Sequence, residues 1–317
     1  MPILEGGEET LVGGQAVMEG VMMRAPHSYC VAVRKADGSV VTGEKPLVRL
    51  SEKHRILKFP LLRGVATLCQ AMKLGYDALR FSTNVALEDM AAKPGSDPKA
   101  APPKEIPGWA MAGNLLFSVA FLIALYKFLP LYLVTKLEKV YPMLAGHMAF
   151  NLGDGLIRIG IFLAFLYGIS RFKDMHRMFQ YHGAEHKVVF NYEAGVPVTV
   201  QNAQRFTTFH PRCGTSFLMV LMFLAIPVNA LIPFDGFLAK FICRIVLLPL
   251  TIGLSYELIR FAAKRPGSVF AMVTAPGLWL QRITTQPPAD DQAEVAIRAL
   301  DGAMALEASQ GGELIIA

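Results

Sequence analysis

Charge is scarce in this chain. Of its 317 residues 18% are charged and 53% hydrophobic, with a mean hydropathy of +0.39. That is too apolar for an ordinary soluble protein of this length, so membrane insertion is the leading expectation. Cysteine is limited to positions 30, 69, 213 and 243, and the absence of a CxxC pair removes the commonest paired-thiol motifs. The first 28 residues hold acids and glycines instead of a basic start followed by an apolar run. No secretory leader is therefore expected, and the N-terminus is placed in a reducing compartment with free thiols. No basic patch is interleaved with aromatics, so nucleic acid is not an expected partner, and the net charge of +6 needs another explanation.

Topology supplies it. Four apolar runs are long enough to matter against a bilayer, which takes roughly 20 residues per helix. They are Trp109 to Leu133, Leu152 to Ile169, Ser216 to Phe234 and Phe241 to Ala262, the last two joined by the turn PFDGF and predicted to form a transmembrane hairpin. Lysine and arginine gather on one side of these runs: 14 in residues 1–108, six between Arg171 and Arg212, and five from Arg260 onward. Cytoplasmic segments carry that excess, so both termini and the segment 171–214 are expected inside. The predicted class is a mainly α, polytopic membrane protein with about four transmembrane helices. Its organisation reads as a cytoplasmic or interfacial region over 1–90 and a Pro-rich linker over 91–108. A transmembrane domain follows over 109–262, with a cytoplasmic loop at 171–214, and a cytoplasmic C-terminal region over 263–317.

In the N-terminal region, YCVAVRKADGSVVTG (Tyr29 to Gly43) sets β-rich runs on either side of Asp37-Gly38, a hairpin signal. From Ile56 to Phe81 the chain reads as an amphipathic helix. It either lies in the membrane interface with its basic residues toward anionic headgroups, or packs on the rest of the protein. Near the other end, Pro276 to Ile283 suggests an interfacial turn with Trp279 as anchor. Asp290 or Asp291 is expected to cap a final amphipathic helix through Val295, Ile297, Leu300 and Met304.

The densest chemistry is in YHGAEHKVV (Tyr181 to Val189), which holds two of the seven histidines and a glutamate within five residues. On a helix His182 and His186 share a face, with Glu185 beside the second. Two imidazoles at this spacing can chelate one divalent ion, and a neighbouring carboxylate can take a proton from water bound to it. Two polar residues that merely share a face would look the same. The pattern HxxEH is the inverse of HExxH and marks one metallopeptidase group. A catalytic zinc keeps three protein ligands and one open position. Glu257, in the fourth apolar run at its cytoplasmic end, is the expected third ligand, the alternative being an ion pair with Arg260. FHPRCGTSF (Phe209 to Phe217) adds His210 and Cys213 at ligand-like spacing. Its Arg212, Gly214, Thr215 and Ser216 either bind an anion at a helix N-terminus or simply cap the third run. Glu19, the one acid in QAVMEGVMM, either reaches the metal or a substrate cation, or stays solvated on a loop.

GGQAVMEGVMMR (Gly13 to Arg24), YHGAEHK (Tyr181 to Lys187), HPRCGTSF (His210 to Phe217), SYELIRF (Ser255 to Phe261) and PGLWLQRITTQPPADDQAEVAI (Pro276 to Ile297) together resemble the YqhQ-like family. The resemblance runs in order over nearly the whole chain. It implies a bacterial membrane protein of unknown function, of a kind described as predicted metal-dependent enzymes. Pro211 stands where related sequences carry a basic residue, which weakens any claim of an essential charge there.

Two functional classes follow as expectations. In the first the protein is a membrane-embedded, zinc-dependent hydrolase acting at the cytoplasmic boundary on a membrane-protein segment or a lipid-derived substrate. His182, His186 and Glu257 bind the metal, Glu185 is the general base or an orienting acid, and His210 or Arg212 stabilises the oxyanion. In the second it is a nonenzymatic scaffold, regulator or small transporter with a structural metal or a proton-linked His/Glu cluster. Cys213 as a fourth ligand would favour that class, because closed structural zinc sites use four.

Overall fold

The computed structural model describes residues 12–48, 54–91, 108–263 and 275–309; the Pro-rich linker expected at 91–108 lies almost wholly outside them. Strands β1 (Gly13–Val17), β2 (Gly20–Arg24), β3 (Ser28–Arg34) and β4 (Val40–Pro46) form one antiparallel sheet in chain order. The hairpin expected at Asp37-Gly38 joins β3 to β4, with Gly38 at φ 86 and Asp37 accepting from the Ser39 N–H. A second hairpin, β1–β2, was not expected. Its two-residue turn is Met18-Glu19, with Glu19 at φ 52, and no Asn-Gly or Asp-Gly signal marks it.

Successive residues of β2 and β3 point to opposite faces, and both faces are covered. Val21, Met23, Cys30 and Ala32 pack with Tyr181, Ala184 and Val188 of α5 (Lys173–Glu193) and with Val295 and Leu300 of α11 (Asp290–Ser309). Met22, Tyr29, Val31 and Val33 pack with Leu74, Ala78 and Val85 of α1 (Leu62–Ala91). The sheet is therefore the middle layer of an α/β/α sandwich, and each large apolar side chain buried there contributes about 1.5–3 kcal/mol. The helix expected over 56–81 is α1. It packs one side on the sheet, as in the second of the two readings, and leaves Leu62, Met72 and Leu79 exposed.

Helix α2 (Gly108–Ile123) continues through a π-helical turn (Ala124–Phe128) into α3 (Leu129–Val140), and α4 (His147–Ser170) follows. Gly113–Val140 and His147–Ser170 are long and apolar enough to cross a membrane. The third expected run gives only the 17-residue α7 (Gly214–Ala230), because Pro233 and Gly236, the latter at φ 90, turn the chain. The fourth breaks into α8 (Phe237–Val246) and α9 (Leu248–Ala263), bent by 48°, where Pro249 has no N–H to carry the helix ladder onward. Among the described residues, the four expected spans thus become two helices long and apolar enough to cross, or three if the bent pair is one crossing. Of the expected transmembrane hairpin the structure shows the packing of α7 against α9.

Nearly half of the expected loop 171–214 is helix α5, followed by the short α6 (Val200–Ala203), which Thr199 caps. Helix α10 (Ala275–Thr284) lies against α7 with Trp279 exposed. The expected final helix is α11, with Val295 and Leu300 buried; Asp290 and Asp291, expected to cap it, lie inside its first turn. All four cysteines are free.

Candidate metal centre

Helix α5 carries the densest cluster because three glycines let other backbones come close. A Cβ at Gly183 would run into the Gln286 carbonyl oxygen, one at Gly277 into Ser216, and one at Gly14 would lie 2.7 Å from Glu185 Cγ. The gaps at Gly183 and Gly14 let the segment after α10 and strand β1 reach α5, and the gap at Gly277 lets α10 close on the entry to α7. The Gln286 N–H donates to the Phe179 carbonyl at 2.9 Å, which fixes the first of these contacts.

His182, His186 and Cys213 converge so that one nitrogen or sulfur of each lies within 4.8 Å of the other two. His182 Nδ1 is 2.7 Å from the Thr284 carbonyl oxygen, and His186 Nδ1 bonds the Thr208 carbonyl oxygen. A carbonyl can only accept, so each Nδ1 carries the proton and each Nε2 presents a lone pair. His182 Nε2 is 3.2 Å from Cys213 Sγ, and His186 Nε2 is 3.4 Å from Glu185 Oε2. A histidine whose second nitrogen is fixed by a carbonyl is the usual arrangement of a metal-ligating histidine.

A second ring of groups surrounds this one. The side-chain amide of Gln281 accepts from the His210 N–H at 2.7 Å and donates to the His210 carbonyl at 2.8 Å. The His210 ring accepts from the Arg212 N–H through Nδ1 at 3.2 Å, so its Nε2 carries a proton. That Nε2 is buried and has no hydrogen-bond partner; Glu193 Oε2 is 3.6 Å away. The Arg212 guanidinium forms an ion pair with Glu193, and Lys187 Nζ pins the neighbouring loop by donating to the Gln204 and Phe206 carbonyls.

Burial sets the electrostatics. Glu185 is 5% exposed and His186 2%. Desolvation pushes the Glu185 carboxyl above the usual range, opposed by His182, His210, the Gly14 N–H and Arg212. It holds His186 and His210 below the ordinary histidine value, so both rings favour the neutral form that a metal ligand or a neutral donor needs.

Two expected participants lie elsewhere. Glu257 is held by Arg63, whose Nε donates to Oε1 at 2.5 Å and whose Nη2 donates to Oε2. It therefore joins α9 to the start of α1 instead of joining the histidines. Its expected competitor, Arg260, acts on it only more weakly than Arg63 does. Glu19 accepts from Arg177 Nε at 2.5 Å and Nη2 at 2.7 Å, and from the Tyr181 hydroxyl at 3.3 Å. It neither reaches the cluster nor stands alone in solvent. Cys213, expected only as an additional ligand, lies beside the two histidines where Glu257 was expected. Sequence reading passed over Gly14, Glu193, Gln281 and the two carbonyls of Thr208 and Thr284. The visible signals were the Gly13-Gly14 pair before an apolar strand and a lone glutamine in an apolar helix.

Comparison with known proteins bears on the assignment. The family described as "Protein of unknown function (DUF1385)" matches residues 59–306. The chain belongs to this family. The DUF1385 match spans α1 to α11 and so takes in every cluster residue except those of the N-terminal sheet. The chain is also similar to the uncharacterized protein YqhQ of Bacillus subtilis (strain 168), with 33% identity over 302 residues, 93% of each chain. No solved structure matches the chain.

Proposed function

We propose that this DUF1385 protein is a zinc-dependent hydrolase of the bacterial cytoplasmic membrane, with both termini and its metal centre on the cytoplasmic side. His182, His186 and Cys213 are the metal ligands. The observation that carries the proposal is the pairing of both Nδ1 atoms with carbonyl oxygens, which leaves two lone pairs and one thiol converging beside a buried carboxyl group. Two imidazoles and a thiolate suit zinc, and three ligands leave a fourth position for water or substrate. Zinc bound there supplies Lewis acidity and brings the pKa of a bound water from about 15.7 toward 7.

The chain's own groups divide the remaining work. Glu185, held by the Gly14 N–H and next to His186 Nε2, accepts the proton of the attacking water and returns it to the leaving group. His210 offers an unpartnered, buried N–H to the developing oxyanion. Arg212 positions that ring through its backbone N–H, while its guanidinium is engaged by Glu193. The substrate class that fits a site beside apolar helices is a membrane-protein segment or a lipid-derived ester or amide.

The burial of Glu185 favours one second reading, in which Glu185 is itself a fourth ligand and the centre is closed and structural, in a scaffold, regulator or small transporter. Glu185→Gln separates the two. In the hydrolase the variant keeps its metal and fails to restore function to a strain lacking the protein. In the structural reading it loses the metal. A variant with full metal content and full function rules out the hydrolase.

A further inference from the structure

The apolar helices hold a second polar cluster built from other elements. Asp154 and Arg158 lie one turn apart on α4 and are ion-paired. Arg244 reaches them from α8, donating through Nη1 to Asp154 Oδ1 at 2.6 Å and through Nη2 to Asn151 Oδ1 at 2.8 Å. Lys127, in the π-helical turn, is within electrostatic reach of Arg158, Arg244 and Asp154. Arg158 and Arg244 are 3% and 1% exposed. Among the described residues, three cations therefore share a single carboxylate.

The hydrogen bonds are also short on one side. Arg158 Nε and Nη1 and Arg244 Nε are buried without any partner. A guanidinium cannot release its proton to escape burial, and a buried cation without a counter-charge is among the most costly arrangements in a protein. Asp154 and the Asn151 carbonyl oxygen account for the donors already paired; nothing described accounts for the rest.

We infer that a small monatomic anion of chloride size binds among Lys127, Arg158 and Arg244. Size follows from the packing. The unpartnered nitrogens of Arg158 and Arg244 are closed in by protein atoms on all sides. A monatomic anion can accept N–H bonds from several directions within that space, whereas a phosphate needs room for four oxygens. The anion would tie α4 and the π-helical turn to α8, one turn before the break between α8 and α9. Both guanidinium groups are buried by protein atoms, so the inference stands apart from the metal centre and from any bilayer.

The test uses the purified full-length protein in detergent. Its thermal midpoint is compared in sodium chloride, sodium gluconate and sodium phosphate at equal ionic strength, and retention of radiolabelled chloride is measured by equilibrium dialysis. Saturable retention of labelled chloride is expected, with a midpoint several degrees higher in chloride than in the other two salts. Arg244→Gln should abolish both effects. Should that variant fail to fold, Lys127→Met decides, because Lys127 contributes charge here without a hydrogen bond to Asp154; it should weaken chloride binding about tenfold. Equal midpoints in chloride and gluconate with no retained label would overturn the inference. So would a chloride effect unchanged in Lys127→Met and any folded Arg244→Gln, or a phosphate effect as large as that of chloride.

Discussion

Gly183→Ala puts one methyl group at the closest backbone contact of the candidate metal centre, where the new Cβ would collide with the Gln286 carbonyl oxygen. That oxygen is backbone and cannot rotate away, so the segment 284–286 has to retreat by about 1 Å to reach ordinary contact. The Thr284 carbonyl moves with it, and its 2.7 Å bond to His182 Nδ1 lengthens beyond hydrogen-bond range. Overpacking costs about 1–3 kcal/mol, and losing the Gln286 to Phe179 bond adds about 1 kcal/mol. Alanine in a helix offsets about 1 kcal/mol through its better propensity. A net loss of about 1–3 kcal/mol lowers the thermal midpoint of a chain this long by roughly 2–5 °C. Metal affinity should fall about 10–100-fold, because His182 loses the group that orients it. The assay is thermal denaturation in detergent together with competitive zinc titration, with Gly160→Ala as control, since a Cβ at Gly160 meets nothing within 4 Å. A Gly183→Ala protein as stable as the control with unchanged zinc affinity would refute the reasoning.

The remaining predictions concern other parts of the fold. Glu307 accepts from the His27 N–H at 2.9 Å and from the Ser28 hydroxyl at 2.8 Å, tying α11 to the start of β3. Although burial opposes its ionisation, the bonds from Ser28 and His27 hold its pKa below the usual glutamate value. Its contribution is therefore complete above the unfolded value of about 4.3 and disappears as pH falls through the lower folded value. The stability difference between wild type and Glu307→Gln, about 1–3 kcal/mol at pH 7, should shrink below pH 4; a difference independent of pH would contradict this. The Arg63–Glu257 pair is about a quarter exposed on each side, so a double-mutant cycle should give a coupling of about 1 kcal/mol or less with no change in metal content. A cysteine at Asp235 should react with an impermeant thiol reagent from outside intact cells, above the background of native cysteines; reaction from the cytoplasmic side alone would reverse the proposed orientation.

What the sequence revealed and what it concealed have physical causes. Helical spacing alone brought His182, Glu185 and His186 to one place, because that relation is local. The partner elements are distant in sequence, and reading which carboxylate or thiol joins them required knowing which helix packs where. Glu257 looked like a ligand because it is an acid in an apolar run at the right end. Arg63 answers it from 194 residues away, a pairing that spacing cannot reveal. Strands β1 and β2 were hidden because both faces are covered, so Val21, Met22 and Met23 read as one apolar run without alternation. Likewise the fourth apolar run passed as one span because composition registers Pro249 weakly, whereas the missing N–H decides the local geometry.

The metal content of four purified proteins tests the central claim most directly. Wild type and Glu257→Gln should each hold about one divalent ion per chain, while His186→Ala and Cys213→Ser should lose it. Background metal in wild type, or an ion lost in Glu257→Gln and kept in Cys213→Ser, would contradict the account.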